Sequence, residues 1–416
     1  MQEVEQKIGY KDVLKQKEYL KIIIANLISR FGDAIDAIAF TWLVYAITES
    51  AAWSAIVFAV NQLPSVLVQP FAGPLVEGMD KKKVMVVTDV IRGLITAGLA
   101  VLYLTGNVTP WILLLFTACN STVEAFCLPA ATAVIPKILD KEYYTYGTSL
   151  SSTLSTVVQM VGIAAAGVII GAFGVGTAIF IDGLSFFGSA FILCFLKIKE
   201  TNLRTEKLQV AEYFKTLKDG AVYLKSQPVI LNFCIMGVFA NAIIVPINSL
   251  QTPLISEVMG GGSELLSIFS LALLIGMGAG SMLFPFVCKK LSAHKVVVIS
   301  GCVIGLTFFA YTTGTILRGN VAAIYALTIL ASFTLGASAS ILSAVLSVQF
   351  MKVVSQDYLA RVGAIFNASA CAATPIVSAA VGAVSTKFSV SQIFMVSGIL
   401  CVILFVITAV KKVRFE

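Results

Sequence analysis

Charge is scarce in this chain. Only 12% of its 416 residues are Asp, Glu, Lys or Arg, against 58% that are apolar, and the mean hydropathy is +0.93. Soluble domains carry about 25% charged residues, so the composition excludes a soluble protein and implies an integral membrane one. Histidine is nearly absent: His294 stands alone beside Lys295 and reads as a solvated loop residue. That supply excludes a histidine-based proton relay or histidine-based metal catalysis within the membrane. The chain also lacks a P-loop and a nucleophile elbow, which argues against an ATP-driven pump and against an enzyme. Its eight cysteines fall in no metal-ligand spacing, so free thiols are expected, with no disulfide frame, no metal site and no bound cofactor. Residues 1–18 are polar and basic, so no cleavable signal peptide is expected.

What the chain has is long apolar runs. A hydrocarbon core of roughly 30 Å needs about 20 helical residues to cross it. Such runs lie near 19–47, 53–76, 84–104, 111–136, 147–172 and 176–196, and again near 229–255, 265–287, 295–317, 321–351, 357–386 and 391–410. The spacing predicts an all-α membrane protein of twelve transmembrane helices in two six-helix bundles, 19–196 and 228–410. A cytoplasmic N-terminal segment (1–18), a charged cytoplasmic linker (197–227) and a short cytoplasmic tail (411–416) complete the chain. In the linker, Val210, Phe214, Leu217, Ala221 and Leu224 repeat at helical spacing with Lys215, Lys218 and Lys225 on other faces. That is the pattern of an amphipathic helix on an anionic leaflet, although a simple tether fits as well. Residues 8–20 are open to the same interfacial reading.

Orientation follows from Lys and Arg. With both termini in the cytoplasm of a plasma-membrane protein, nearly every loop lysine and arginine faces inward, and the outer loops hold only Arg318 and Lys387. The same spread explains the net charge of +7 without a nucleic-acid partner, because no basic module with exposed aromatics is present.

Against this apolar background the ionisable residues inside the runs stand out. Arg30, Asp33 and Asp36 are spaced i, i+3, i+6 in the first run, an arc of roughly 120° on one helix face. Glu124 lies at the middle of the fourth run, at a depth that makes it a partner for Arg30. Asp89, Arg92 and Asp182 complete the set, all in the first half. A mid-membrane charge costs at least about 2.5–3.5 kcal/mol, so such groups persist where they pair or work.

The segment Gly73-Pro-Leu-Val-Glu77-Gly-Met-Asp80-Lys-Lys-Lys83, followed by Asp89 and Arg92, resembles the loop between helices two and three of the major facilitator superfamily, G-x-L-x-D-R-x-G-R-K. It departs from that pattern in having Glu77 for Asp, Gly78 for Arg and Asp80 where glycine is common. Leu128-Pro-Ala-Ala-Thr-Ala-Val-Ile-Pro136, Phe180-Ile-Asp182-Gly-Leu-Ser-Phe-Phe187, Lys218-Asp-Gly-Ala-Val-Tyr-Leu-Lys225 and the pair Gly32-Asp33 are similar to the macrolide-efflux and enterobactin-exporter branch. The proline-bearing G-x-x-x-G-P-x-x-G-G of drug/proton antiporters is replaced by Gly162-Ile-Ala-Ala-Ala-Gly167-Val-Ile-Ile-Gly171, small residues that suit close helix packing. Gly276, Gly278 and Gly280 suggest the matching face in the second half.

The resemblance implies two bundles around a central cavity lined by helices one and four, alternating access, and export of an amphipathic small molecule driven by the proton gradient. Proton coupling and substrate contact are then expected at Arg30, Asp33, Asp36, Glu124 and Asp182. A gating latch is expected at Gly73, Glu77, Asp80, Asp89, Arg92 and Arg361, with Asp89 and Arg92 near the cytoplasmic end of helix three. An apolar to weakly polar substrate wall is expected at Asn241, Asn248, Gln251, Phe269 and Asn367. A cationic, lipophilic substrate and a monomer are the expected partners and state. An importer or facilitator of a nutrient or metal ion, and a non-transporting scaffold, are the alternatives.

Overall fold

The computed structural model describes residues 10–68, 71–72, 75–76, 79–198, 228–353 and 356–410. Every long element is a helix, which is what hydrocarbon demands of a backbone with no water to bond. They are α1 (Lys17–Thr48), α2 (Ala51–Leu67), α3 (Lys81–Leu104), α4 (Pro110–Ile138), α5 (Tyr144–Phe173), α6 (Val175–Cys194), α7 (Pro228–Pro253), α8 (Ser263–Lys290), α9 (Ala293–Thr312), α10 (Val321–Val353), α11 (Gln356–Ser385) and α12 (Val390–Val410). Among the described residues nine helical stretches are long and apolar enough to cross a membrane, while α2 and residues 371–385 of α11 form shorter apolar helices. The linker residues 199–227, with their expected amphipathic helix, lie outside the described residues.

The chain groups by proximity into two compact units. One holds residues 1–40 with 67–209, and the other residues 41–66 with 210–416. Inside the first, α3 packs along α6 and also against α4, and α5 packs on α6. The α3–α6 seam is close because Gly183 faces the backbone of Ala97 and Gly93 faces the Phe187 ring. Inside the second, α8 runs against α10, α9 against both α10 and α12, and α7 against α11. Gly276 and Gly280 let α8 meet the carbonyls of Phe333 and Ala337, and Gly336 returns the arrangement from α10. Gly278 has open space around it and is not part of that face. On α5, Gly162 meets Phe31 and Ala34 of α1, a close approach of the kind expected of small residues in membranes.

Local chemistry fixes the helix ends. Asp80 caps α3, its Oδ1 accepting from Lys83 N at 3.0 Å. Thr109 caps α4 ahead of Pro110. At the far end of α6, Lys82 and Lys21 donate to the carbonyls of Cys194 (2.7 Å) and Phe195 (2.9 Å), so two lysines counted as inward-facing charge also satisfy a helix C-terminus. Of the segment 8–20, the described residues 10–20 do not form one continuous helix. A short turn, Tyr10–Val13, precedes α1, and Val13 is fully buried among Tyr19, Ile23 and Leu139.

In the second unit α7 does not end smoothly. Leu250 leaves helical geometry (φ −117°, ψ 17°), Pro253 follows, and Leu254–Val258 continues as a π-helical turn. The Tyr45 hydroxyl on α1 donates to Glu257 of that turn at 2.9 Å. On α11, Ser378 donates to the Ala55 carbonyl of α2 at 2.7 Å.

Candidate functional site

The charges converge within the first unit, on an arginine other than the one the sequence pointed to. Arg92, its side chain only 8% exposed, lies 11 residues into α3, about 16 Å along the helix and halfway down it. Its Nη2 meets Asp33 Oδ1 of α1 at 3.0 Å and Glu124 Oε2 of α4 at 3.7 Å. Its Nε donates to Asn120 Oδ1 at 3.2 Å. The guanidinium lies 4.1 Å from the centre of the Phe186 ring of α6, a cation–π contact that lets an aromatic cover one face of the ion. A planar fork with several donors suits this arrangement, where a lysine would supply one point of charge.

Helical spacing explains why these side chains meet. Asn120 and Glu124 are i, i+4 on α4; Asp182, Phe186 and Ser189 follow i, i+4, i+7 on α6; Asp89 and Arg92 are i, i+3 on α3. Each helix therefore presents a stripe of polar or aromatic atoms to the same spot. Asp89 is buried and accepts from Ser189 Oγ at 2.6 Å. Asp182 is 1% exposed, and its Oδ1 has no hydrogen-bond partner. Gly32 makes the crowding possible, because a Cβ there would run into Ser185 and Asp182.

Several expectations change against this geometry. Arg30 is exposed and forms no ion pair among the described residues, so it is not the partner of Glu124. The face of α1 turned into the cluster runs from Asp33 to Asp36, itself one step of about 60°, and stops short of Arg30. Asp33 and Asp36 are half-buried and take part in the cluster. Arg92 belongs to the charged centre instead of the cytoplasmic end of α3, since that helix already begins at Lys81. Asp89 goes with it. Asp80 is a helix cap with Lys83 at 3.7 Å, a local role. Gly73 and Glu77 lie outside the described residues. So do the side chains of Arg361 and Asn367, although both positions are on α11.

Of the expected substrate wall, Asn241 and Asn248 are exposed and Gln251 is half-buried on α7. Phe269 is not available to a ligand. It is fully buried on α8 with its ring 5.8 Å from that of Tyr311, whose hydroxyl shares a 2.9 Å hydrogen bond with Ser332. Asn120, Phe186, Ser189 and Gly32 join the site although the charge pattern of the sequence does not point to them, and the i, i+4 stripes on α4 and α6 are the signal that marks the first three. Among the described residues no three of His, Cys, Asp and Glu are grouped to hold a metal ion.

Comparison with known proteins agrees with this architecture. The family model described as transmembrane secretion effector matches residues 12–415. An uncharacterized MFS-type transporter, YkuC of Bacillus subtilis, is 25% identical over 329 residues, which cover 76% of this chain and 75% of that one. Macrolide efflux protein A of Streptococcus pyogenes is 21% identical over 386 residues, 92% of this chain and 93% of its own. A putative bacilysin exporter, BacE of Bacillus amyloliquefaciens, is 31% identical over 222 residues, about half of each chain. Among solved structures, the nucleoside transporter NupG superposes with a TM-score of 0.77 at 13% identity, over 94% of this chain and 98% of that one, a likeness of fold alone. The chain is thus a multi-pass membrane transporter and not an enzyme, and it belongs to the transmembrane secretion effector family of major facilitator transporters.

Proposed function

We propose that this protein is an exporter in the cell membrane, with twelve spans and both termini in the cytoplasm, that moves an amphipathic small molecule outward in exchange for protons by alternating access. The observation that carries the reading is Arg92, held at mid-span between Asp33 of α1 and Glu124 of α4. This one cation contacts two carboxyl groups, Asp33 and Glu124, while Asp36, Asp89 and Asp182 lie on the helices α1, α3 and α6 that surround it. Charge uncompensated in hydrocarbon is costly, so this excess must be met by protons, by water or by a positively charged ligand. The site therefore has the chemistry to exchange one for another. The export direction draws support from relatives named for macrolide efflux and bacilysin export.

In the proposed cycle Glu124, 54% exposed, is the carboxyl through which a cationic or polar group of the substrate competes for the site. Protonation of a carboxyl in the cluster frees Arg92 from one partner and lets it rest on the other, and that trade of partners tells the helices which state they are in. A proton moving down about 100 mV yields roughly 2.3 kcal/mol, enough for tens-fold accumulation of a neutral solute. The protein needs no bound cofactor in this scheme and works as a monomer.

The test is proton release from inverted membrane vesicles, followed with a pH-quenched dye, on addition of macrolides or lipophilic cations. Wild type should give compound-triggered flux. Glu124→Gln and Asp33→Asn should each abolish it while compound binding persists. Undiminished flux in both variants would refute the proton-coupling assignment, and flux-free uptake of the compound would refute antiport itself.

A further inference from the structure

We propose that a groove on the second unit, between α7, α11 and α12, is a binding site for one acyl chain of an anionic phospholipid whose headgroup is held where α11 turns into α12. The inference rests on the membrane-spanning fold and is independent of the substrate or coupling ion.

The groove has a volume of about 730 Å³, within the roughly 300–1,000 Å³ of sites that accept a ligand of drug size. Phe239 and Pro246 of α7, Ala380 of α11, and Leu400 and Ile407 of α12 line it, with Phe388 at one end. Its wall is almost wholly apolar. It is also open on one side, since Phe388 and Leu400 are 53% and 58% exposed. An apolar trough on the surface of membrane-crossing helices faces lipid tails, so an acyl chain is the occupant its chemistry selects.

Length and charge make the choice more specific. From Gln392 to Ile407 the groove follows α12 for about 22 Å at 1.5 Å per residue. That exceeds half of a hydrocarbon core of roughly 30 Å, so the groove takes a whole chain from the interface inward. Apart from the Ser397 hydroxyl part-way along, its polar lining is at the interfacial end. Gln392 lines the groove there, and its side-chain carbonyl is engaged by Ser389 N at 3.0 Å, which leaves the amide NH₂ as the donor. Exposed Lys387, next in the chain to the lining residue Phe388, adds a positive charge at the same end. No acidic residue occurs between Gln356 and Val410 other than Asp357, at the opposite end of α11. An ammonium and an amide donor at the mouth of an apolar groove complement a phosphate diester.

The full-length protein, purified in detergent, would be incubated with phosphatidylglycerol or phosphatidylcholine and examined by native mass spectrometry. Wild type should retain one phosphatidylglycerol per chain and prefer it over phosphatidylcholine by roughly fivefold, the discrimination one lysine supplies near a headgroup. Lys387→Gln should erase the preference while retaining lipid. Ala380→Trp, and separately Leu400→Trp, should fill the groove and reduce retention of both lipids; both positions are exposed, so melting curves should match wild type. Equal retention of the two lipids by wild type would overturn the proposal. So would retention unchanged in both tryptophan variants, or loss of a dimer in those variants, which would make a second copy the occupant.

Discussion

Replacing Arg92 by glutamine should be the most damaging single change in the charged cluster, and its cost can be apportioned. The substitution keeps a polar side chain that can still reach Asn120 but removes the charge shared by Asp33 and Glu124. Taking one partner from a buried ion pair costs about 3–5 kcal/mol. Asp33 keeps 29% of its side chain exposed, which moves the cost to the lower end, about 3 kcal/mol. The contact with Phe186 adds a further loss of about 1–2 kcal/mol. Glu124 contributes little to this sum, because a pair at 3.7 Å with one side chain 54% exposed is worth under about 1 kcal/mol. The informative assay is a double-mutant cycle of Arg92→Gln with Asp33→Asn, read as unfolding free energy in mixed micelles. The double variant should recover about 2 kcal/mol relative to additivity, since neutral asparagine no longer leaves a charge stranded. Strict additivity would refute the pairing and with it the placement of Arg92 at the centre of the site.

Other expectations can be checked one at a time. Gly32→Ala should force α1 from α6, where the added methyl meets Ser185 and Asp182, and should lower both thermal stability and transport, whereas Gly278→Ala, with open space around it, should do neither. Asp80→Ala should cost about 0.5–2 kcal/mol through the lost cap of α3 while leaving the pH profile of transport unchanged. Tyr45→Phe should remove the hydrogen bond to Glu257 and raise amide hydrogen exchange in the π-helical turn Leu254–Val258 with transport intact or faster. Asp182→Asn should fold as well as wild type, because its Oδ1 has no partner to lose, yet abolish proton flux on the proposed mechanism.

The helical architecture was legible in the sequence because a single physical demand, enough apolar residues to cross hydrocarbon, writes itself into every span. Asp33, Asp36, Glu124 and Asp182 were legible for the complementary reason, that a charge in such a run is conspicuous. Their partner was not. Arg92 follows closely on Lys81, Lys82 and Lys83, and a run of lysines reads as a loop, which moved the apparent start of α3 inward and Arg92 toward its end. In the structure those lysines are helical, with Lys81 itself buried, and Arg92 lies at the midpoint. Rotation was the second missing quantity. Periodicity places Arg30 and Asp33 on neighbouring faces, but which face meets α3 and α4 depends on where Gly32 lets α6 approach. Phe269 shows the same limit in reverse, since an aromatic on an apolar helix reads alike whether it faces a cavity or packs against Tyr311.

Gly32 and Arg92 make best sense together. An arginine at mid-span needs acidic partners on more than one helix to be held there at all, and a transporter needs those partners to be exchangeable. Two unequal pairs meet both needs: the 3.0 Å contact with half-buried Asp33 anchors the guanidinium, while the 3.7 Å contact with exposed Glu124 is weak enough to be displaced. Beside them, α1 sits close on α6 at Gly32, where Asp182 is buried and its Oδ1 has no hydrogen-bond partner. In the proposed cycle, a motion that opens this seam would hydrate Asp182 and loosen Asp33 in the same step, because Gly32 and Asp33 are adjacent on one helix. On the proposed mechanism, coupling between helix movement and charge compensation would follow from that adjacency, without a relay of further residues.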